Sequence, residues 1–594
     1  MSEKNCTFVP YLPHKDTMTA HEALKTYFGY DDFRPLQEEI IQSVLDGRDT
    51  LALMPTGGGK SLCFQVPTMA MGGLCLVITP LIALMKDQVE NLRQRDIHAA
   101  AIYTGMTYDQ QKAALDNCQW GPYHFLYVSP ERLESEEFRE RLARLPICLI
   151  AVDEAHCISQ WGYDFRPSYL KIAEIREVIR CERREVPILA LTATATPDVV
   201  DDIQERLAFR EKNVLRKSFL RQNLSYVVRQ TNKKADEIVH ILSKVPGSAI
   251  VYVRNRQRAQ ELAAYLQEKG ISADFYHAGL NSKERSAKQE AWKEYKGVGG
   301  TSEHIRTMVC TNAFGMGIDK PDVRMVIHHD LPDTIEAYFQ EAGRAGRDEK
   351  KAFAVLLYDP TQDKAKARKR VVDNYPPKEF VGDVYHKTCD FLGVGAGSGQ
   401  GHTFFLPIHD LCRVMHLPAL QTYAALHLLT QAGYLCFQEE QEIQPRVKIC
   451  IQQREIAEYG LSERQKHLLE ILMRKYSGIF TDLQYINEDS LSKLLATNNL
   501  HDILVSLAER RIIHYVPHTK TNTLLLTRER QMDVYLSTDI YDRHRQQYID
   551  KLKAMVEYAE NEQYCRSQLM LAYFGEIDAP PCGTCDVCRA KRKE

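Results

Sequence analysis

The sequence predicts an α/β fold of two tandem parallel-sheet lobes, followed by α-rich units and a C-terminal cysteine cluster. Three observations predict it. From about Thr19 to Ala208, short apolar β-rich runs alternate with helical patterns, and the alternation restarts near Ser225. After Tyr358 helical patterns dominate. The chain then closes with Cys565, Cys582, Cys585 and Cys588. Continuous apolar strands separated by helices indicate a parallel sheet covered on both faces, with ligands at the carboxyl ends of its strands.

Taken in order, an N-terminal extension (1–18) precedes the first lobe (19–208). Its strands are read at LALMP (51–55), LCLVITP (74–80), HFLYVSP (124–130), LIAVDEA (149–155) and ILALTAT (188–194). The second lobe (209–360) carries AIVYV (249–253), ADFYHAG (273–279), TMVCTNA (307–313) and MVIHHDLP (325–332). Connecting helices and a linker (361–402) include the basic run KAKARKR (364–370) and the glycine-rich GVGAGSGQG (393–401), read as flexible. Two winged-helix-like units are expected in succession, at 403–455 and 456–535, each a helix pair followed by strand candidates. A helical platform with the four cysteines (536–594) ends the order.

At 594 residues the chain is too long for one hydrophobic core. Apolar residues make up 44% and charged residues 26%, an ordinary globular composition. No run approaches the ~18 apolar residues of a membrane span, and MSEKNCTFVPYLPHKD lacks the succession of a secretory signal. A cytoplasmic protein is expected. A net charge of −3 argues against a passive nucleic-acid coat, but not against a motor that concentrates positive charge in a groove. Twelve of the sixteen cysteines are scattered singly. Cys63, Cys75, Cys148, Cys157 and Cys310 lie in apolar stretches and read as small buried hydrophobes of a reducing compartment.

MPTGGGKS (54–61) follows a strand and precedes an apolar helix, matching the phosphate-binding P-loop except for Met54 at the usual first glycine. After Thr56, the glycines Gly57, Gly58 and Gly59 leave the backbone free to turn its N–H groups toward phosphate oxygens. Lys60 would reach the β- and γ-phosphates of ATP, and Ser61 would ligate Mg²⁺. Taken alone, the motif also fits a glycine-rich turn with an incidental lysine. LIAVDEAH (149–156) bears on that choice, because an apolar strand ending in adjacent carboxylates needs a cation. Asp153 would hold the Mg²⁺ shell, and Glu154 would orient and deprotonate a water.

Outward from these motifs the chain resembles superfamily 2 helicases, and closely the RecQ family, from about Phe28 to Asp348. The resemblance implies two RecA-like lobes and an ATP-dependent 3′–5′ DNA helicase of recombination, repair and replication. FGYDDFRPLQ (28–37) resembles the adenine-recognition motif, with Gln37 reading the base edge and Arg34 nearby. TPLIALMKDQ (79–88) and VSPERL (128–133) resemble backbone-contacting segments, and LTATAT (191–196) the motif that couples hydrolysis to strand movement. SQWGYDFRPSY (159–169) resembles the family's aromatic loop. Gln160, Trp161, Tyr163, Phe165 and Arg166 there suit base stacking, with capping of a core as the plainer alternative. His156 could link the acids to this loop or to Gln340, or simply pack. TNAFGMGIDKPDVRMVIH (311–328) and YFQEAGRAGRD (338–348) resemble motifs V and VI. Arg347, with Arg344 behind it, could touch the γ-phosphate across the lobe interface; a surface ion pair is the alternative. Lys320 and KAKARKR could line a phosphate track or form a solvated face.

In the tail, Cys565 is followed after sixteen residues by Cys582 and then by two C-x-x-C steps. Four cysteines suit a closed tetrahedral Zn²⁺, with an iron–sulfur cluster or a redox pair as rivals. The lead-in CR...L...YFGE resembles the RecQ zinc-binding element, but about 200 residues separate it from Asp348, where the family usually has it follow directly. Expected partners are single-stranded DNA, branched or tailed duplexes, and single-strand-binding and repair proteins, with no membrane. An RNA-directed DEAH-type ATPase and an ATP-gated DNA-binding regulator are the other functional readings.

Overall fold

The computed structural model describes residues 18–592 except 56, 81, 104, 105, 107, 160–165, 180–185, 296–303, 316–319, 444, 453, 456–458, 477, 496, 498 and 518. The chain forms two compact units: Met1–Ala367 with Ile549–Glu594, and Arg368–Tyr548. The second unit is therefore an insertion within the sequence of the first.

In the first unit, strands β1 (Thr50–Leu53), β2 (Leu74–Ile78), β3 (Ala99–Ile102), β4 (Phe125–Val128), β5 (Ile147–Val152), β6 (Ile188–Thr192) and β7 (Val214–Arg216) form one sheet. The order is β3-β4-β2-β5-β6-β1-β7, and the pairings are parallel. TLAL, LCLVI, FLYV and ILALT are buried at every position, as a sheet covered on both faces requires. β7 corrects the expected lobe boundary at 208, because its residues pair with β1. Asn213 fixes that return: its side-chain amide donates to Ser43 Oγ and to the Asp49 carbonyl, each at 2.9 Å.

Asp49 pins the start of three segments. Its buried carboxylate accepts the Ile188 and Arg210 N–H groups at 3.0 Å each and pairs with the guanidinium groups of Arg210 and Arg176. Burial alone would raise its pKa, but the hydrogen bonds from Arg210 and Ile188 and the charge of Arg176 hold it below the usual carboxylate range. Asp49→Ala should destabilise the first lobe by about 3–5 kcal/mol in a urea melt, because it leaves buried donors unmatched. With the folded pKa depressed, this stabilisation is present above about pH 4 and fades as pH falls through the folded value. Wild type and variant should therefore converge in acid. A difference that persists unchanged in acid would contradict the assignment.

The second sheet comprises β8 (Leu224–Gln230), β9 (Ser248–Tyr252), β10 (Ala273–Tyr276), β11 (Thr307–Cys310), β12 (Val323–His328) and β13 (Ala352–Tyr358). Its order is β10-β11-β9-β12-β13-β8, again with parallel pairings, so β8 is an edge strand. The tail packs on this lobe. Phe574 meets Phe219 and Phe339 at ring-centroid distances of 5.2 and 5.1 Å, and Tyr558 meets Tyr338 at 5.5 Å. Glu576 accepts the Phe219 N–H at 2.8 Å and the Ser218 hydroxyl at 2.6 Å. The long gap between Asp348 and the cysteines is thus largely the inserted unit, and the tail lies against the second lobe despite it.

In the inserted unit, β14 (Thr403–Leu406), β15 (Leu435–Ile443), β16 (Arg446–Ile449), β17 (Gln484–Tyr485), β18 (Ile513–Val516) and β19 (Thr519–Leu526) form two antiparallel sheets, β14-β19-β15 and β17-β16-β18. Two successive winged-helix-like units were the expectation; the structure instead places one three-stranded sheet, in sequence, between two strands of the other. β15 pairs with β19 from Leu435↔Leu526 to Ile443↔Thr519, and the second sheet lies wholly between these strands. The helices Glu463–Lys475 and Leu500–Glu509 belong to that inner body. It has its own core, with Val447, Leu468, Leu472, Leu504 and Leu507 among its buried residues. The division at 455/456 fails because RVKI pairs with IHYV across sixty-odd residues, not with its sequence neighbour LCFQEEQEI.

The glycine-rich stretch is likewise not a free linker. The Gly401 N–H donates to the Leu526 carbonyl at 2.8 Å, the Gly397 N–H donates to the Arg530 carbonyl at 3.0 Å, and Arg530 donates to the Val394 carbonyl at 2.6 Å. A Cβ on Gly399 would lie 2.7 Å from both Leu526 and Val394, so glycine is there for close approach.

Candidate functional site

The loop after β1 and the acids after β5 face each other at the carboxyl ends of two strands that flank β6 in the sheet. Gly57 and Gly59 have φ of 79° and 80°, which lets the chain curl ahead of the helix Leu62–Met71. Lys60 and Glu154 approach to 3.9 Å between Nζ and Oε1. Burial pushes Asp153 up to about 6, and the adjacent Glu154 carboxylate adds to this, while Lys60 and the Glu154 N–H oppose it. The Glu154 N–H donates to Asp153 Oδ1 at 3.0 Å, and Glu154 itself adopts φ 47°. A non-glycine residue in the left-handed region is strained, and such strain gathers at functional sites. Two carboxylates beside a lysine and Ser61 could hold a divalent cation and a polyphosphate.

Arg34 and Gln37 lie on the loop itself. Arg34 Nη1 donates to the Gly57 carbonyl at 2.9 Å, and Gln37 Nε2 donates to the Gly59 carbonyl at 3.0 Å. Gln37 Oε1 accepts the Arg34 N–H at 2.9 Å. A Cβ on Gly59 would collide with the Gln37 amide, so the Arg34–Gln37 turn and the loop are fitted to each other.

Of the second-lobe residues, Arg347 reaches the loop. A Cβ on Gly57 would lie 3.3 Å from Arg347 Cγ, so the arginine stem lies against the backbone expected to wrap phosphate. Arg344 does not reach it: its guanidinium is buried in the second lobe and donates to the Gly315 carbonyl. Gln340 is buried in the helix Ile335–Ala342. Lys320 is also internal. Its ammonium donates to the carbonyls of Lys293 and Tyr295 at 2.8 Å each and pairs with Asp322, which removes it from a phosphate track. In the basic run, Lys364 pairs with Glu560 at 2.7 Å and Arg370 is buried, so the run is not simply a solvated face.

His156 meets Glu154 Oε2 at 3.4 Å and Thr192 Oγ1 at 2.9 Å. Thr192 was not singled out from the sequence, although its motif was; it is the residue that ties LTATAT to the acids. Tyr169, another residue not singled out, donates its hydroxyl to the Asp153 carbonyl at 3.1 Å. Arg166 donates to the Pro80 carbonyl at 3.4 Å. Thr56, Gln160, Trp161, Tyr163 and Phe165 lie outside the described residues.

The four tail cysteines converge, with their sulfurs all within 4.8 Å of one another. The N–H groups of Cys582, Cys585 and Cys588 donate to the sulfurs of Cys565, Cys582 and Cys585 at 3.2, 3.3 and 3.3 Å. Such donors stabilise thiolates, so the set fits a tetrahedral Zn²⁺. Asp586, between the last two cysteines, was not singled out from the sequence. It takes the Arg566 guanidinium on both oxygens, at 3.0 to 3.2 Å, and accepts the Val228 N–H of β8 at 3.2 Å.

Family models match in the same order. DEAD/DEAH box helicase covers 34–203, and helicase conserved C-terminal domain covers 233–349. RecQ helicase winged-helix domain, Bacteroidota, covers 447–517, the inner body of the inserted unit, and RecQ zinc-binding covers 527–589. The chain is 41% identical over 344 residues to the probable ATP-dependent DNA helicase RecS of Bacillus subtilis, covering 57% of this chain and 66% of that protein. It is 41% identical over 343 residues to the ATP-dependent DNA helicase RecQ of Haemophilus influenzae, covering 58% and 54%. To the RecQ of Bacillus subtilis it is 42% identical over 344 residues, covering 57% and 56%. The chain thus spans between about half and two thirds of the length of these relatives. Among the described residues no helix is long and apolar enough to cross a membrane.

Proposed function

We propose, for a chain that belongs to the RecQ family of helicases, that ATP hydrolysis between its two lobes drives 3′–5′ movement along single-stranded DNA and unwinding of duplex DNA. The observation that carries the reading is the approach of Lys60 to Glu154, beside Asp153, at the ends of the strands on either side of β6. Lys60 holds the β- and γ-phosphates. Ser61 and Asp153 hold Mg²⁺, which when bound neutralises charge on the phosphate oxygens. Glu154 orients the attacking water and takes its proton. Gln37 and Arg34 border the loop where the adenine base is recognised. His156, touching both Glu154 and Thr192, passes the state of the acid to the LTATAT segment. Arg347 senses the γ-phosphate from the other lobe. The tail cysteines hold Zn²⁺ in a structural role. Tailed or branched duplexes, single-strand-binding proteins and repair proteins are the partners, in the cytoplasm or on a bacterial nucleoid.

Lys60→Ala and Glu154→Gln are each expected to lower ATP turnover by at least ~10²–10⁴-fold without loss of fold, the range for removing a positioned acid–base or charge-stabilising group. Turnover should be measured without nucleic acid, with single-stranded DNA and with single-stranded RNA, together with unwinding of a 3′-tailed duplex. Wild-type turnover in either variant would sink the site. RNA-selective stimulation would mark an RNA-directed ATPase, and DNA binding without strand separation would mark a gated regulator.

A further inference from the structure

The inner body of the inserted unit carries a sheet with one face turned outward. Val447, Ile449, Ile513 and Tyr515 of β16 and β18 point into its core. The alternation of a strand then sends Arg446 and Lys448 of β16, and His514 and Val516 of β18, to the other face. The register aligns them across strands. Arg446 sits opposite Val516 on one side and Tyr485 of β17 on the other, and Lys448 sits opposite His514. Tyr485 is 64% exposed, and the Arg446 guanidinium lies over its ring at 5.2 Å.

Three nitrogen-bearing side chains and an open tyrosine ring thus share one small surface. Among the described residues, no carboxylate pairs with Arg446, Lys448 or His514. This departs from the general pattern in which opposite charges face each other across strands. Cross-strand neighbours stand about 5 Å apart, and side chains two residues apart on one strand about 7 Å apart. The donors therefore form a short two-dimensional array, not a single point charge.

We propose that this outer face binds single-stranded nucleic acid, with phosphates on Arg446 and Lys448 and a base stacked on Tyr485. Charge complementarity selects a polyanion. The exposed ring on a flat sheet selects an unstacked strand, because bases in a duplex are already stacked on each other and offer no free face. Recognition of this kind is tolerant of sequence, since every base has a π-face. The proposal rests on the reading of the chain as a DNA motor, for which a single strand is the track.

The test uses the full chain and a fluorescent oligothymidylate without nucleotide, titrated by anisotropy across a range of salt. Arg446→Ala with Lys448→Ala should lower the slope of log K against log salt by about 1.4, at ~0.7 per phosphate contact on a single strand. Tyr485→Ala should weaken binding by about tenfold, within the range for one base–aromatic stack, while Tyr485→Phe should bind like wild type. ATP turnover without DNA should be unchanged in all of them. An unaltered slope with wild-type affinity in both alanine variants overturns the proposal and leaves the face to an acidic protein partner. A wild-type chain that does not bind the oligonucleotide overturns the motor reading as well.

Discussion

Arg347→Ala is expected to reduce ATP turnover by about 10³–10⁵-fold, the usual contribution of an arginine supplied across an interface to a phosphoryl transition state. Arg347 belongs to the second lobe, yet its stem lies against Gly57 of the first. A guanidinium there could present two parallel donors to a phosphate oxygen cluster, and it could do so only while the lobes are together. Loss of the γ-phosphate would remove its partner, so hydrolysis and lobe separation become linked. Arg347→Lys should recover little, because a point charge does not reproduce the planar fork. Arg344→Ala is the informative contrast. Its guanidinium is spent inside the second lobe on the Gly315 carbonyl, so its removal should show first as a lower unfolding midpoint of that lobe. Turnover in Arg347→Ala within tenfold of wild type would remove the arginine from the transition state.

That division between Arg344 and Arg347 marks a limit of what the sequence could tell. In GRAGRD both arginines carry the same chemistry, and spacing alone cannot say which is buried. The decision comes from Gly315, whose carbonyl lies 29 residues away in sequence and is brought in by folding. Strands such as β2, β4 and β6 were legible because a doubly covered parallel sheet needs continuous hydrophobicity, although β13, AFAVLLY, went unread despite an equally apolar run. β3 was not legible, because AAAI is built from residues with weak strand preference and owes its pairing to β4. β7 was missed for the related reason that three residues, half-buried or exposed, carry no alternation.

The nesting of the inserted unit was beyond local reading altogether. Helix pairs and strand candidates were read there, but β14, β17 and the helix Glu463–Lys475 were not, and which strands pair is a non-local matter: β15 waits until β19 for its partner. The glycine-rich loop misled in the opposite direction. Its composition is that of a linker, whereas Gly399 is a contact position that a side chain would block. By contrast, the phosphate loop, the two acids and the four cysteines were legible. Their chemistry fixes residue type and spacing at once, and the fold then had only to bring them together. What the sequence left out of these sites was the supporting layer: Thr192 under His156, Tyr169 under Asp153, and Asp586 beside the cysteines.

Asp586 gives the second large expected effect its reach. Cys585→Ser should release the tail metal and unfold the segment around it, since metal binding in such small sites carries about 10–16 kcal/mol of apparent free energy that the peptide alone cannot replace. Cys585 is the central loss. Its sulfur accepts the Cys588 N–H, its backbone donates to Cys582, and it caps the helix Asp586–Lys591. The consequence should travel into the second lobe. Asp586 holds Arg566 and, at the same time, the Val228 N–H of the edge strand β8. An edge strand with a bare N–H is a site for unwanted pairing, and here a carboxylate from the tail covers it. Without metal, Asp586 loses its fixed position, so amide exchange at Val228 should accelerate and the protein should become prone to self-association. Arg566→Ala should produce the β8 effect while retaining metal, which separates loss of the ion from loss of the contact it supports. Unchanged metal content in Cys585→Ser would rule out the four-sulfur site. Metal loss with undisturbed exchange at Val228 would show instead that β8 needs no cover from the tail.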